Sequence, residues 1–189
     1  MSKKNTAIII CIILLVIIIL GIYWFTYSQK NASNNNQPSP TSAFVLDPKN
    51  CAYNIENQVV ALVDGYSEQE VAPGSASKTI TRYFGNEVSG DFNNDGFSDI
   101  AFILTQESGG SGTFYYLVAA LGSKDKCIRT NAIFLGDRIA PQSTNFQNGE
   151  IIVNYADRNP DEPMTEIPSV GVSKYFKITG NQLLEDVQY

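Results

Sequence analysis

Four side chains with oxygen ligands lie close together within residues 90–104 of this chain. They are Asp91, Asn93, Asp95 and Asp99. Alternate positions in a tight loop can direct their side chains towards one point, and Gly96 permits the sharp turn that brings the chain back. A hard cation such as Ca²⁺ takes about six to eight oxygen ligands at roughly 2.3–2.6 Å. The stretch therefore predicts one calcium site, built from these side chains, the Phe97 carbonyl oxygen and water.

The loop is similar to an EF-hand calcium loop over its first six positions and then departs from it. The twelfth position, where an EF-hand has a bidentate glutamate, is Phe102. Residues 100–104 are typical of a buried strand and not of an exiting amphipathic helix. The segment instead resembles the calcium loops of FG-GAP repeats, in which an Asp at the ninth position closes the site and a strand follows. A propeller needs several repeats, so a single copy implies the loop without the propeller.

The same residue types also allow a turn that holds no metal. Asn and Asp side chains hydrogen-bond to their own backbone and favour β-turns for that local reason. Four oxygen ligands in register favour the calcium site, and an acidic β-turn is the alternative.

Strand signals dominate residues 43–189. Runs rich in β-branched and aromatic residues end at turn residues; they cover residues 53–63, 79–84, 99–105, 113–121, 127–135, 150–155, 170–178 and 182–187. Asn-Gly at 148–149 and Gly-Asn at 180–181 favour hairpin turns, the Gly-rich segment 108–112 favours a hairpin tip, and three prolines make 159–169 an irregular loop. A short helix could form at residues 68–71, or at residues 78–84 as the alternative to the strand predicted at 79–84. The pattern predicts a mainly β domain, an antiparallel β-sandwich or strongly curved sheet with few short helices.

An apolar run at residues 7–25 predicts one transmembrane helix before this domain. Its 19 residues would span roughly 28 Å as a helix, close to the hydrocarbon thickness of a bilayer. Lys3 and Lys4 precede the run and aromatic residues end it, which places the N-terminus in the cytoplasm and the rest of the chain outside. A cleaved signal peptide, the alternative, has a shorter apolar region of about 7–15 residues and small residues at its cleavage site.

This topology divides the chain into four parts and places it in the cytoplasmic membrane. Residues 1–6 are a cytoplasmic tail, 7–27 the anchor, 28–42 a linker rich in Asn, Ser and Pro, and 43–189 the extracytoplasmic domain. The linker is expected to be disordered because it cannot bury enough apolar surface to offset the entropy of ordering. The domain has 10 basic and 19 acidic residues, which argues against nucleic acid or an anionic lipid surface as its partner.

Cys51 and Cys127 are the two cysteines of the predicted exported domain. An even number of cysteines in an exported domain favours a disulfide, and two unpaired buried thiols are the alternative. Cys11 lies inside the apolar run and follows isoleucines, where a lipoprotein would have a small residue. It is therefore predicted to be a membrane-buried thiol.

Catalytic groups are scarce in this sequence. The chain contains no histidine, which removes His-based triads, the usual zinc sites and the commonest general base. Two Asp-Arg pairs, Asp137-Arg138 and Asp157-Arg158, either form a polar pocket or make surface ion pairs of small value. The predicted function is a non-enzymatic module that presents a surface to a cell-envelope protein or polysaccharide. The alternative is a hydrolase of envelope polymers that uses carboxylates such as Asp137 and Asp157.

Five motifs in the domain together resemble an uncharacterised family of small exported bacterial proteins. They are Y-F-G-N-E at 83–87, D-x-N-x-D-G-x-x-D at 91–99, G-G-S-G-T-F-Y-Y at 109–116, L-G-D-R-I-A-P-Q at 135–142 and N-Y-A-D-R at 154–158. The resemblance implies export and a shared fold, and it implies no activity.

Overall fold

The computed structural model describes residues 16–27 and 44–186 of the chain. The chain separates into two units, Met1–Ser42 and Ala43–Tyr189. Residues 16–27 of the first unit are helical, and no helix within the described residues is both long enough and apolar enough to cross a membrane. The predicted tail, the linker, Cys11 and the first part of the predicted anchor lie outside the described residues.

The second unit is mainly antiparallel β, as the strand signals predict. Its described strands are β1 (Ala52–Ile55), β2 (Gln58–Ala61), β3 (Tyr66–Glu70), β4 (Lys78–Gly90), β5 (Asp99–Glu107), β6 (Phe114–Leu121), β7 (Ile128–Arg129), β8 (Ile133–Asp137), β9 (Ala140–Gln147), β10 (Glu150–Asp157), β11 (Val170–Thr179) and β12 (Gln182–Glu185). A short 3-10 turn at Pro48–Asn50 precedes them. β1 and β2 form a hairpin, β3 to β7 form a sheet in which β8 also pairs with β6, and β9 to β12 form a four-stranded sheet.

The central strands β5 and β6 are buried on both faces. Their register places Ile103 opposite Leu117 and Phe102 opposite Val118, and all four side chains are fully buried. Successive side chains of a strand point to opposite faces, so each pair belongs to a different face of the sheet. This double burial explains why residues 100–104 are continuously apolar, where a strand with one solvated face would alternate.

Two hydrophobic cores cover the two faces of this sheet. The larger core joins Ile103 and Leu117 to residues of the four-stranded sheet, among them Val153, Phe176 and Leu183. The smaller core joins Phe102 and Val118 to residues of the β1–β2 hairpin, among them Tyr53, Ile55 and Val60. The sheet that contains β5 and β6 is therefore the middle of three layers.

The disulfide predicted between Cys51 and Cys127 is present, with a Cα–Cα distance of 6.1 Å. It fastens the start of the β1–β2 hairpin to the segment that leads into β7. The backbone of Asn54 adds two hydrogen bonds, from its N–H to the Thr130 carbonyl at 3.0 Å and from the Ala132 N–H to its own carbonyl at 2.7 Å. The small outer layer is thus held to the middle layer by a covalent bond as well as by packing.

Several predicted turns are confirmed. Asn148 and Gly149 connect β9 to β10, Gly180 and Asn181 connect β11 to β12, and the Gly-rich segment connects β5 to β6. Residues 159–169 contain no strand, in agreement with the predicted irregular loop. Composition alone identified these connections because Gly and Asn adopt the backbone conformations that tight turns require.

Other segments differ from their predictions. Residues 53–63, predicted as one strand, form the β1–β2 hairpin, whose turn residues Glu56 and Asn57 have φ values of 47° and 69°. The helices considered at 68–71 and 78–84 are wrong, because β3 and β4 pair antiparallel there. Residues 127–135 divide into β7 and β8, and β9 was not predicted. Sheet pairing set these boundaries, and it overrides local propensity.

Removing the disulfide is expected to lower the free energy of unfolding by about 4 kcal/mol, because a long cross-linked loop restricts the unfolded chain. The paired cysteines are 76 positions apart. The measurement is urea unfolding of the Cys51→Ala/Cys127→Ala double variant beside the wild type. Cys11→Ala is the matched control and is expected to leave the midpoint unchanged. Equal stability of the double variant and the wild type would contradict the expected role of the bridge.

Candidate metal centre

The Asp-rich loop connects β4 to β5 at one end of the middle sheet. Gly90 is the last residue of β4 and Asp99 the first of β5, and the two residues are partners in the strand register. Residues 91–98 therefore leave one strand and return to its neighbour within a closed turn. This closure brings the polar side chains of the loop close to one another.

Side chains in the first half of the loop bind the loop's own backbone. Asp91 accepts the backbone N–H groups of Asp95 and Gly96 through its two carboxylate oxygens, each at 3.0 Å. Asn93 Oδ1 also accepts from the Asp95 N–H at 3.1 Å, and Asp95 Oδ1 accepts from the Phe97 N–H at 2.9 Å. Gly96 has a φ of 87°, which glycine adopts without strain. The oxygens of all three side chains thus point towards one short piece of backbone.

Asp99 has a different environment from the other three predicted ligands. It is fully buried, and its carboxylate accepts the Phe92 N–H at 2.8 Å and the Gly122 N–H at 2.9 Å. Burial raises the pKa of Asp99, the two backbone hydrogen bonds oppose this rise, and the negative charges of Asp95 and Asp91 add to it. Asp99 therefore fastens the loop to the end of β6 and lies close enough to the other carboxylates to interact with their charge.

Gly122 is the partner that sequence reasoning missed. A Cβ atom at this position would lie 2.3 Å from the Ser98 carbonyl oxygen, so only glycine allows the two segments to approach this closely. The close approach brings the Gly122 N–H within reach of Asp99. In the sequence, Gly122 is visible only as the glycine that follows the apolar run of β6. That its N–H binds Asp99 can be seen only in the folded structure.

The donor set of the loop suits a hard cation, because it consists of carboxylate, amide and carbonyl oxygens. Asn93 Nδ2 also donates to Asp95 Oδ2 at 2.8 Å, so these side chains are held within the loop. In the part of the chain that the structure describes, no group of three or more His, Cys, Asp and Glu side chains is arranged to hold a metal ion. Asp91, Asn93 and Asp95 have the donor types that calcium prefers, and their oxygens accept hydrogen bonds within the loop. Asp99 differs from them because it is fully buried and one of its oxygens accepts the N–H of Gly122, outside the loop.

The two Asp-Arg pairs lie at the ends of β8 and β10 and contact each other. Arg158 donates to the carbonyl oxygens of Arg138 at 3.0 Å and Glu166 at 2.6 Å. The Asp137 carboxylate pairs with the Arg138 guanidinium at 2.9 Å and accepts the Thr113 N–H, also at 2.9 Å. These contacts join the β5–β6, β8–β9 and β10–β11 connections to one another, which is a structural role.

The chain matches no protein-family model, no curated protein and no solved structure. The resemblance of its motifs to small exported bacterial proteins stays a prediction. Function therefore has to follow from the geometry and the chemistry of the chain's own residues.

Replacing Asp99 by alanine is expected to lower the free energy of unfolding by roughly 3 kcal/mol, because two buried N–H groups lose their acceptor. The measurement is urea unfolding in EGTA, which separates this structural role from any effect of a metal ion. Asp125→Ala is the matched control, since Asp125 is exposed in a turn, and its cost is expected to stay within about 0.5 kcal/mol. Similar losses in the two variants would show that Asp99 does not fasten the loop.

Proposed function

We propose that this chain is a membrane-anchored extracytoplasmic module that binds one Ca²⁺ in the loop at 91–99. Its β-rich domain binds a protein or polysaccharide of the cell envelope. The observation that supports the calcium proposal is that one closed turn between β4 and β5 holds the oxygen-bearing side chains of Asp91, Asn93 and Asp95 close together. Oxygen ligands of this kind and spacing are those that Ca²⁺ prefers.

Each residue of the loop has its own role in this proposal. Asp91, Asn93 and Asp95 provide side-chain oxygens to the ion, and Phe97 provides its carbonyl oxygen. Asp99 holds the loop in place through the N–H groups of its neighbours. The ion supplies positive charge that offsets the repulsion between the carboxylates. Calcium binding would then stabilise the folded state, because the unfolded chain does not hold these ligands together.

The contacts of the carboxylates considered for hydrolysis support a binding module over a catalytic one. Asp137, the first carboxylate considered for hydrolysis, is occupied by Arg138 and by a backbone N–H. Asp157, the second carboxylate considered, accepts the backbone N–H of Arg158 at 2.8 Å. The excess of acidic residues in 43–189 favours cationic partners over nucleic acid.

Calcium is expected to raise the melting temperature of the protein. With a dissociation constant of about 10⁻³ M, typical of extracellular modules, 10 mM free Ca²⁺ would stabilise the fold by roughly 1.4 kcal/mol. The measurement is a thermal melt in EGTA and in CaCl₂ on the wild type and on Asp95→Ala, which is expected to lose most of the response.

The matched control for this measurement is Asp125→Ala, which removes one carboxylate outside the loop and is expected to keep the full response. A wild-type melting temperature indifferent to Ca²⁺, together with no binding by calorimetry, would falsify the calcium proposal. The loop would then be an acidic turn held by its own hydrogen bonds.

The β-rich domain is expected to lie outside the cytoplasmic membrane, because Lys3 and Lys4 precede the apolar run. Protease added to intact cells or spheroplasts should digest the domain, while a cytoplasmic marker protein stays intact. The topology is wrong if the domain survives until the membrane is broken with detergent.

A further inference from the structure

A cavity of about 270 Å³ opens beside the end of β5 that is remote from the Asp-rich loop. Its lining consists of Glu56, Gln106, Ser108, Phe114, Tyr116 and Phe134. The loop adjoins Asp99 at the start of β5, and the cavity adjoins Gln106 near its end. The two places are therefore separate, and a ligand in one does not contact the other.

Three aromatic rings form one wall of this cavity. Phe114 and Tyr116 are two positions apart on β6 and so share a face, and Phe134 on β8 is the register partner of Tyr116. The ring centroid of Phe134 lies 6.3 Å from that of Phe114 and 5.5 Å from that of Tyr116. Phe134 is 49% exposed. An exposed aromatic ring can bury alkyl groups against its apolar face, and it attracts cations because its quadrupole makes that face electronegative.

Hydrogen-bond acceptors lie beside the aromatic wall. Glu56 Oε1 accepts the Tyr116 hydroxyl at 2.8 Å, which fixes the carboxylate at the rim. Gln106 donates through Nε2 to the Thr81 hydroxyl at 3.2 Å, an arrangement that leaves its carbonyl oxygen to accept. Ser108 adds a hydroxyl, whose oxygen lies 3.1 Å from the Thr79 hydroxyl oxygen and keeps a further lone pair to accept a hydrogen bond. The six lining residues therefore provide a carboxylate, an amide carbonyl and a hydroxyl, and none of the six is a lysine or an arginine.

The backbone at Glu56 carries a second indication. Glu56 is the first residue of the β1–β2 turn and has a φ of 47°, a region in which glycine, asparagine and aspartate are the usual residues. A glutamate there is less favourable for the turn itself. Unfavourable backbone conformations of this kind concentrate at functional sites, and this one holds the carboxylate beside the rings.

We propose that this cavity binds a primary alkylammonium group, such as the side chain of a lysine or a small amine. The ammonium group has three N–H donors, which match the acceptors of Glu56, Gln106 and Ser108. The alkyl chain lies against the rings of Phe114 and Phe134. The net negative charge of residues 43–189 attracts such cations. The inference deepens the proposed binding function and rests on it for the class of partner.

The test uses the full chain in a nonionic detergent and n-butylammonium chloride as the probe. Titration followed by NMR should show saturable binding in the millimolar range. Glu56→Gln keeps the size of the side chain and an acceptor for Tyr116, and it is expected to weaken binding at least fivefold. Phe134→Leu, at a half-exposed position, is expected to weaken it about threefold. Glu166→Gln, an exposed site elsewhere, is the matched control and should bind as the wild type does.

Two further ligands test the chemistry of the site. n-Butanol has the alkyl chain without the charge, and tetramethylammonium has the charge without N–H donors, so both are expected to bind at least fivefold more weakly than n-butylammonium. Comparable binding of either ligand, or unchanged binding by both Glu56→Gln and Phe134→Leu, overturns the proposal. Tighter binding of N-acetyl-lysine amide than of n-butylammonium supports the site with a protein lysine as source, and the reverse ranking supports it with a free amine.

The same titration in EGTA and in CaCl₂ separates this inference from the calcium proposal. Ammonium binding in both solutions, with a melting temperature indifferent to Ca²⁺, supports the cavity and removes only the calcium site. A melting temperature that responds to Ca²⁺, without saturable ammonium binding, removes only the cavity as a binding site.

Discussion

The burial of β5 and β6 on both faces is the constraint on which the rest of this fold depends. Side chains of successive residues, such as Phe102 and Ile103, are fully buried in different cores. Each face therefore needs its own cover. The four-stranded sheet is large enough to cover one face, but an isolated two-stranded hairpin is marginally stable in water. The disulfide and the Asn54 backbone bonds compensate for this, because they hold the short β1–β2 hairpin against the other face.

The same constraint determines where chemistry can occur. The middle of β5 belongs to the two hydrophobic cores, and the polar residues of the strand lie at its two ends. Asp99 begins the strand as a buried carboxylate with two N–H partners, while Gln106 near the other end borders a cavity. The two candidate sites thus adjoin opposite ends of the same strand and do not contact each other.

The mainly β class of the fold could be predicted from the sequence, because turn residues and strand-forming residues act locally. Turn residues marked the β9–β10 and β11–β12 hairpins, and an even cysteine count marked the disulfide. Strand β9 was not readable, because Gln142, Ser143 and Asn145 give it a polar sequence, and it forms through its pairing with β10. The Glu56-Asn57 turn lacks the glycine that usually marks such a turn. The pairing of Asp99 with Gly122 depends on residues 23 positions apart, and no spacing rule predicts it.

The hydrogen bonds of Asp99 connect the candidate metal centre to the core even without direct contact with an ion. Both of its oxygens accept N–H groups, an arrangement that favours the ionised carboxylate. Burial and the charges of Asp95 and Asp91 oppose ionisation and raise its pKa. A cation bound between Asp91 and Asp95 would offset the negative charges of these two side chains. It would therefore favour the ionised form of Asp99, which accepts the two N–H groups. Since Asp99 is also the first residue of β5, the charge balance of the loop would then affect the strand on which both cores are built.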